Sequence, residues 1–317
     1  MSDSGPRRID VHHHIFPTEY VRRIEARINA TIDIGSPHRS WSPAQAVEEM
    51  DRNGVASAIG SVSAPGVWFG DHAEGRALAR ASNDFGAEMV RDHPGRFGLF
   101  ASIPLPDLEG SLAEIAHAYD TLKADGIVLM TSYGGKWPGD PAFAPVFEEL
   151  DRRRAVVFVH PTTPACCDNI MPGIAPPLIE FLTDTTRAIT SLMFNGTFAH
   201  HRNIRFIFCH TGGTVMMVAD RIRRHVERKR ELATAVPEGA AAELRRLYYD
   251  VATSTLPGNF AALRAWVPLS QILFGSDYPV IPFAATIGGF PSLGLGPEQL
   301  AMIDRGNALP LFPRLKS

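Results

Sequence analysis

The chain has 317 residues, 45% of them apolar and 21% charged, and its 31 Lys and Arg against 34 Asp and Glu give a net charge of −3. That composition excludes a disordered or coiled-coil chain and offers neither a basic footprint for nucleic acid nor a polybasic patch for a membrane. No apolar run reaches the ~18 residues a bilayer span needs. The polar stretch Met1–Arg8 lacks a signal core, and the three cysteines, with Cys166 and Cys167 adjacent, make no disulfide framework. The expectation is a reduced, cytoplasmic protein.

At ~150 residues per domain, length alone suggests two units. The element pattern points instead to one unit over residues 1–317. Apolar runs that read as strands fall at Ile9–His14, Val55–Ser61, Phe97–Ser102, Gly126–Met130, Val156–His160, Ile204–His210, Tyr248–Ala252 and Ile272–Gly275. Most lack interior charges, as parallel strands covered on both faces do. Helical segments are predicted at Pro43–Asn53 behind an Ser42 cap, His72–His93, Leu108–Lys123 behind Asp107, Pro141–Arg154, Pro176–Phe194, Val215–Leu232 and Asn259–Trp266. Eight strands alternating with helices predict a (β/α)8 TIM barrel. A doubly wound sheet is the alternative, but no Gly-x-Gly-x-x-Gly follows any strand.

The 12 histidines are unevenly placed. In Ile9-Asp10-Val11-His12-His13-His14, strand periodicity puts His12 and His14 on one face and turns His13 away. Two imidazoles so arranged can hold one metal ion, or form a chance cluster. His160 closes the run Val156–Val159, and His210 closes Ile204–Cys209 before Thr211-Gly212-Gly213. Asp277 follows Phe274-Gly275-Ser276. Each residue singly fits a structural histidine or a helix cap. Five of them at four strand ends, where barrel enzymes carry their chemistry, supply the ligand types of zinc or manganese. Asp10, facing with neither histidine of the pair, is assigned no role. His200 and His201 read as a solvated helix end, and Cys166 and Cys167 as passive apolar residues.

These strings, with Asn307-Ala308-Leu309-Pro310-Leu311-Phe312 near the end, resemble the amidohydrolase-related family typified by aminocarboxymuconate-semialdehyde decarboxylase. The family includes aromatic acid decarboxylases, hydratases and carbon–carbon hydrolases. The resemblance covers nearly the whole chain and implies a barrel with a small insertion at about residues 17–41. It implies His12, His14, His160 and Asp277 as ligands of one divalent metal, Zn2+ first and Mn2+ second, with His210 as general acid/base. The fourth strand ends Ile127-Val128-Leu129-Met130-Thr131 without the lysine that often bridges two metals in binuclear members of the wider superfamily, so one metal per chain is expected.

Arg39, in His38-Arg39-Ser40-Trp41, is similar to an arginine that binds the substrate carboxylate. Arg221 is similar to one lent to a neighbouring subunit, which implies a homodimer or higher homo-oligomer. Both also read as solvated cations. Met130–Pro138, with Thr183–Ala188, resembles the branch of 6-methylsalicylate-type decarboxylases, with Tyr133 and Trp137 as walls for a flat ring. The expected activity is non-oxidative decarboxylation of a small aromatic or unsaturated carboxylic acid. The alternatives are a hydrolase or hydratase using metal-activated water, and a silent metal-binding barrel.

Overall fold

The computed structural model describes residues 8–31, 40–167 and 170–316. Eight parallel strands run in sequence order around one sheet: β1 Arg8–His14, β2 Val55–Ser61, β3 Phe97–Ser102, β4 Gly126–Met130, β5 Val156–His160, β6 Arg205–Phe208, β7 Tyr248–Asp250 and β8 Ile272–Leu273. The segment after β8 closes the barrel against β1. Val11 N–H donates to the Phe274 carbonyl at 3.1 Å, Asp277 N–H to that of His12 at 2.8 Å, and His14 N–H to that of Tyr278 at 2.7 Å. Helices fill the crossovers, so the central strands β3, β4 and β5 are buried along their whole length.

The predicted helices form where their caps stand. Ser42 accepts from Gln45 N–H at 3.2 Å and Asp107 from Gly110 N–H at 3.1 Å, each replacing a partner the first helical turn lacks. Several helices end earlier than periodicity suggests. The one expected to reach Lys123 is α-helical over Leu108–Ala116 and becomes a π-turn over His117–Thr121. The segment read as an insertion contains a helix over Thr18–Thr31, anchored by Tyr20, whose hydroxyl donates to the Gly66 carbonyl at 2.9 Å.

Inside the barrel a column of rings leads to the first histidine. Phe312 meets Phe100 at 5.8 Å between centroids, Phe100 stacks on Phe158 at 5.2 Å, and Phe158 meets His12 at 5.1 Å. Burying each of these phenylalanines contributes roughly 1.5–3 kcal/mol. The column also explains the C-terminal string. Asn307 Nδ2 donates to the carbonyls of Leu269 and Ile272, both at 2.8 Å, and so ties the segment that delivers Phe312 to β8.

Candidate active site

The side chains at the C-terminal ends of β1, β5 and the post-β8 turn converge. One ligand atom each from His12, His14, His160 and Asp277 lie within 4.8 Å of one another, and all four residues are buried. His12 Nε2 and His14 Nε2 are 3.2 Å apart, and Asp277 Oδ1 stands 3.3 Å from the first and 3.0 Å from the second. The i, i+2 pairing read from the sequence is therefore present. His13 faces away, its Nδ1 3.2 Å from Asp10 and its ring against Tyr278.

The outer ring nitrogens fix which nitrogen faces inward. His12 Nδ1–H donates to Asp250 Oδ2 at 2.9 Å, and His160 Nδ1–H to the Pro161 carbonyl at 2.8 Å. His14 Nδ1 lies 3.4 Å from the Ser61 carbonyl. With protons held on the outside, the Nε2 lone pairs are free to converge on one centre, as metal-binding imidazoles require. Three neutral imidazole nitrogens and one carboxylate form a donor set that fits a single divalent cation of the zinc or manganese type.

The electrostatics agree with that fit. Burial opposes charge on His12, yet Asp250 and Asp277 outweigh it and lift its pKa to about 10. Burial lowers that of His14, and burial with His14 and His12 as neighbours carries His160 well below its ordinary value. Asp277, despite burial, is held well below the usual carboxylate range by His12, His14 and His210. A buried carboxylate thus stays ionised beside one imidazole, His12, that favours a proton and two, His14 and His160, that resist one, a setting in which a cation can stand where the His12 proton otherwise would.

His210 sits beside this cluster. Its Nε2 is 3.5 Å from Asp277 Oδ2, and its Nδ1 is buried with no hydrogen-bond partner among the described residues. Strand β6 stops at Phe208 rather than running to His210 as expected. His210 (φ 52°) and Thr211 (φ 56°) take left-handed backbone in a tight turn. Gly213 (φ 66°) completes it, because a Cβ there would meet the Leu182 carbonyl oxygen at 2.1 Å. Thr253 and Asp277 share this strained conformation, so four of the six non-glycine residues with positive φ among the described residues surround the site. Such strain costs about 1–3 kcal/mol per residue and persists where surrounding bonds enforce it. Asp250 Oδ1 supplies one of those bonds by accepting His210 N–H at 2.9 Å.

Asp250 was missed in the sequence. One carboxyl oxygen orients His12 and the other holds the His210 backbone. Gly275 leaves room for this, since a Cβ there would lie 2.8 Å from that of Asp250 and 2.9 Å from that of His12. The only signal was an acid inside the short apolar run Tyr248–Ala252. Asp10, assigned no role, clamps the closing seam by accepting from Ser276 N–H at 2.9 Å and Ser276 Oγ–H at 2.6 Å.

A cavity of about 360 Å3 opens onto His160, His210 and Asp277, walled by Pro177, Leu178, Phe181, Leu182, Val280 and Ile281. Ser63 and Thr253 add hydroxyls. A mostly apolar chamber with a few polar groups at one end suits a small planar acid. Tyr133 and Trp137 lie outside it. Tyr133 lines a neighbouring cavity of about 390 Å3, and its hydroxyl accepts Met130 N–H at 2.7 Å within its own loop. Trp137 Nε1–H donates to buried Asp184 at 2.7 Å, pinning the loop after β4 to the helix Glu180–Phe194. Arg221 is exposed on the helix Val215–Arg228, and Arg39 lies outside the described residues.

Fold and cluster together define a class: a (β/α)8 enzyme scaffold whose strand ends form a buried site able to hold one divalent cation. The profile of the family described as Amidohydrolase matches residues 9–314, and the chain belongs to that family. It is 34% identical to the decarboxylase yanB of Aspergillus niger, over 98% of this chain and 88% of that one. It is 32% identical to the 6-methylsalicylic acid decarboxylase of Penicillium expansum, over 98% and 97%. In fold it superposes on the crystal structure of a dihydroxybenzoic acid decarboxylase from Polaromonas sp. JS666, with bound manganese and the inhibitor 2-nitroresorcinol. That match has a TM-score of 0.87 and 22% identity, covering 98% of each chain.

Proposed function

We propose that the protein is a metal-dependent, non-oxidative decarboxylase of a small aromatic acid of the hydroxybenzoate type, 6-methylsalicylate being the first to test. The observation that carries this reading is the convergence of three Nε2 atoms and one Asp277 oxygen, with His210 alongside, at the polar end of an apolar chamber. His12, His14, His160 and Asp277 would hold one divalent ion, Zn2+ first by its donor set and Mn2+ second. When bound, the ion supplies positive charge that orients the substrate carboxylate and a neighbouring oxygen.

The remaining work falls to the chain. Phe181, Leu182 and Ile281 give the chamber apolar walls against which a ring can pack beside His210. Decarboxylation breaks the bond between ring carbon and carboxyl carbon, releases CO2, and leaves an electron pair that must take a proton. Protonated His210 delivers that proton to the ring carbon and is recharged from solvent. Its left-handed backbone and the Asp250 bond hold the imidazole in place during the transfer.

The test is incubation of metal-loaded protein with 6-methylsalicylate, following CO2 and 3-methylphenol. Release of both in equal amounts supports the reading. Turnover of esters or β-diketones without CO2 would replace it with a hydrolase.

The proposal includes a homodimer or higher homo-oligomer, in a cytoplasmic setting that suits the free thiols of Cys166, Cys167 and Cys209. Its support is where exposed apolar side chains fall. Leu178 (68% exposed), Ile170 and Met171 lie on the segment after β5, Met217 (76%) opens the helix after β6, and Leu256 (66%) follows β7. All rim the same end of the barrel. Exposed Arg221 stands one turn beyond Met217, with no ion-pair partner among the described residues, and is assigned to a neighbouring subunit's cavity.

A further inference from the structure

The opposite end of the barrel carries a second cavity, of about 480 Å3, that the decarboxylase reading leaves unused. Its walls come from residues that precede strands: the approach to β6, the first residues of β6 and β7, and Gln271 just before β8. It therefore lies at the N-terminal ends of the strands, away from His210 and Asp277.

Four arginines line it, Arg202, Arg205, Arg245 and Arg246, against one lining carboxylate, Glu243. The pairing among them is uneven. Arg202 forms a two-pronged ion pair with Glu243 at 2.6 and 2.8 Å, and Glu243 is 1% exposed. Arg246 is paired with Glu238 at 3.0 Å. The other two have no carboxylate within ion-pair distance among the described residues. Arg205 donates only to the carbonyls of Arg202 and Asn203, at 3.2 and 3.1 Å, and Arg245 only to that of Trp266, at 3.3 Å. Carbonyl bonds of this kind orient a guanidinium and leave its charge unneutralised. Counting Glu238 and Glu243 against the four arginines leaves two positive charges facing one cavity. The floor is apolar, formed by buried Phe206, Phe198 and Leu247 with half-buried Tyr248.

Guanidinium groups match phosphate and carboxylate oxygens in pairs, and an apolar floor beside them accepts a hydrocarbon or ring. We propose that this cavity is a binding site for a small organic dianion, a phosphate ester or a dicarboxylate, whose charged end meets Arg205 and Arg245 and whose apolar body rests on Phe206 and Leu247. The site bridges the starts of β6 and β7. Those are the strands that lead to His210 and Asp250, so occupancy stabilises the frame behind the catalytic end.

Titration calorimetry with phenyl phosphate and, separately, with phthalate tests this on wild-type protein, on Arg205→Gln/Arg245→Gln and on Asp277→Asn. The expected result is saturable binding of at least one probe, weakened about tenfold or more in the double arginine variant, unchanged in Asp277→Asn, and falling as salt rises. Phenyl phosphate alone binding assigns the site to phosphate esters, and phthalate alone to dicarboxylates. The ligand-free melting temperature of the double variant should stay within about 2 °C of wild type, because both side chains are exposed. If it unfolds, Arg245→Gln alone gives the same reading. Failure of both probes to bind overturns the proposal, as does equal binding by the arginine variant or loss of binding on Asp277→Asn alone.

Discussion

Two loop clusters at the same end of the barrel look alike in the sequence and behave differently in the structure. The residues at the ends of β1 and β5 and just after β6 and β8 turn their polar atoms inward to a common point. Nε2 of His12 and of His14 lie about Asp277 Oδ1, and His160 closes the group. The loop after β4, with Tyr133, Lys136 and Trp137, directs its polar atoms into itself and the helix Glu180–Phe194 beside it. Tyr133 accepts from Met130 N–H and Trp137 donates to Asp184. The difference lies in what remains unsatisfied. Protein partners occupy the outer nitrogens of the cluster's histidines and turn the inner ones toward Asp277 and one another, whereas the β4 loop has spent its polar atoms on holding itself in place.

That contrast can be broken by substitution, and the effects should differ in size and kind. Asp277→Ala or His160→Ala removes a ligand from a buried four-residue set. Metal content after loading should fall below one equivalent by elemental analysis, with activity lost to background. His210→Asn should keep one equivalent of metal while lowering kcat by about 10²–10⁴-fold, the usual worth of a positioned proton donor. Retained activity would remove His210 from the acid/base role. Asp250→Asn leaves the ligands in place but weakens the hold on the His12 tautomer, so metal affinity in a chelator competition should drop about 10–100-fold.

The β4 loop should respond in stability instead. Trp137→Phe and Tyr133→Phe each leave a buried group without its partner and should cost about 1–3 kcal/mol in denaturant unfolding, with kcat/KM within a few-fold of wild type. A large loss of activity in either, at unchanged stability, would erase the contrast.

How much was legible in the sequence follows from the same distinction. Strand periodicity alone placed His12 and His14 together and His13 apart, because the alternation of a strand is rigid and local. The ends of apolar runs located His160 and Asp277, since barrel strands deliver their last residues to one face. Asp250 stayed hidden because its importance lies in two contacts across the barrel, to residues 238 and 40 positions away, that no local pattern encodes. The end of β6 was misplaced for a related reason. Cys209 and His210 extend an apolar run, but left-handed backbone at His210 and Thr211 ends the strand at Phe208. The aromatic residues of the β4 loop were legible as residue types but not in orientation, which only the positions of Met130 N–H and Asp184 decide.

The central claim is that His210 gives a proton to the ring carbon that loses CO2, and product labelling tests it most directly. Metal-loaded wild-type protein turning over 6-methylsalicylate in D2O should yield 3-methylphenol with one deuterium, at the carbon that carried the carboxylate, while His210→Asn with full metal content should give almost no product. Labelled product formed at the wild-type rate by His210→Asn, or turnover in which no CO2 appears, would contradict the account.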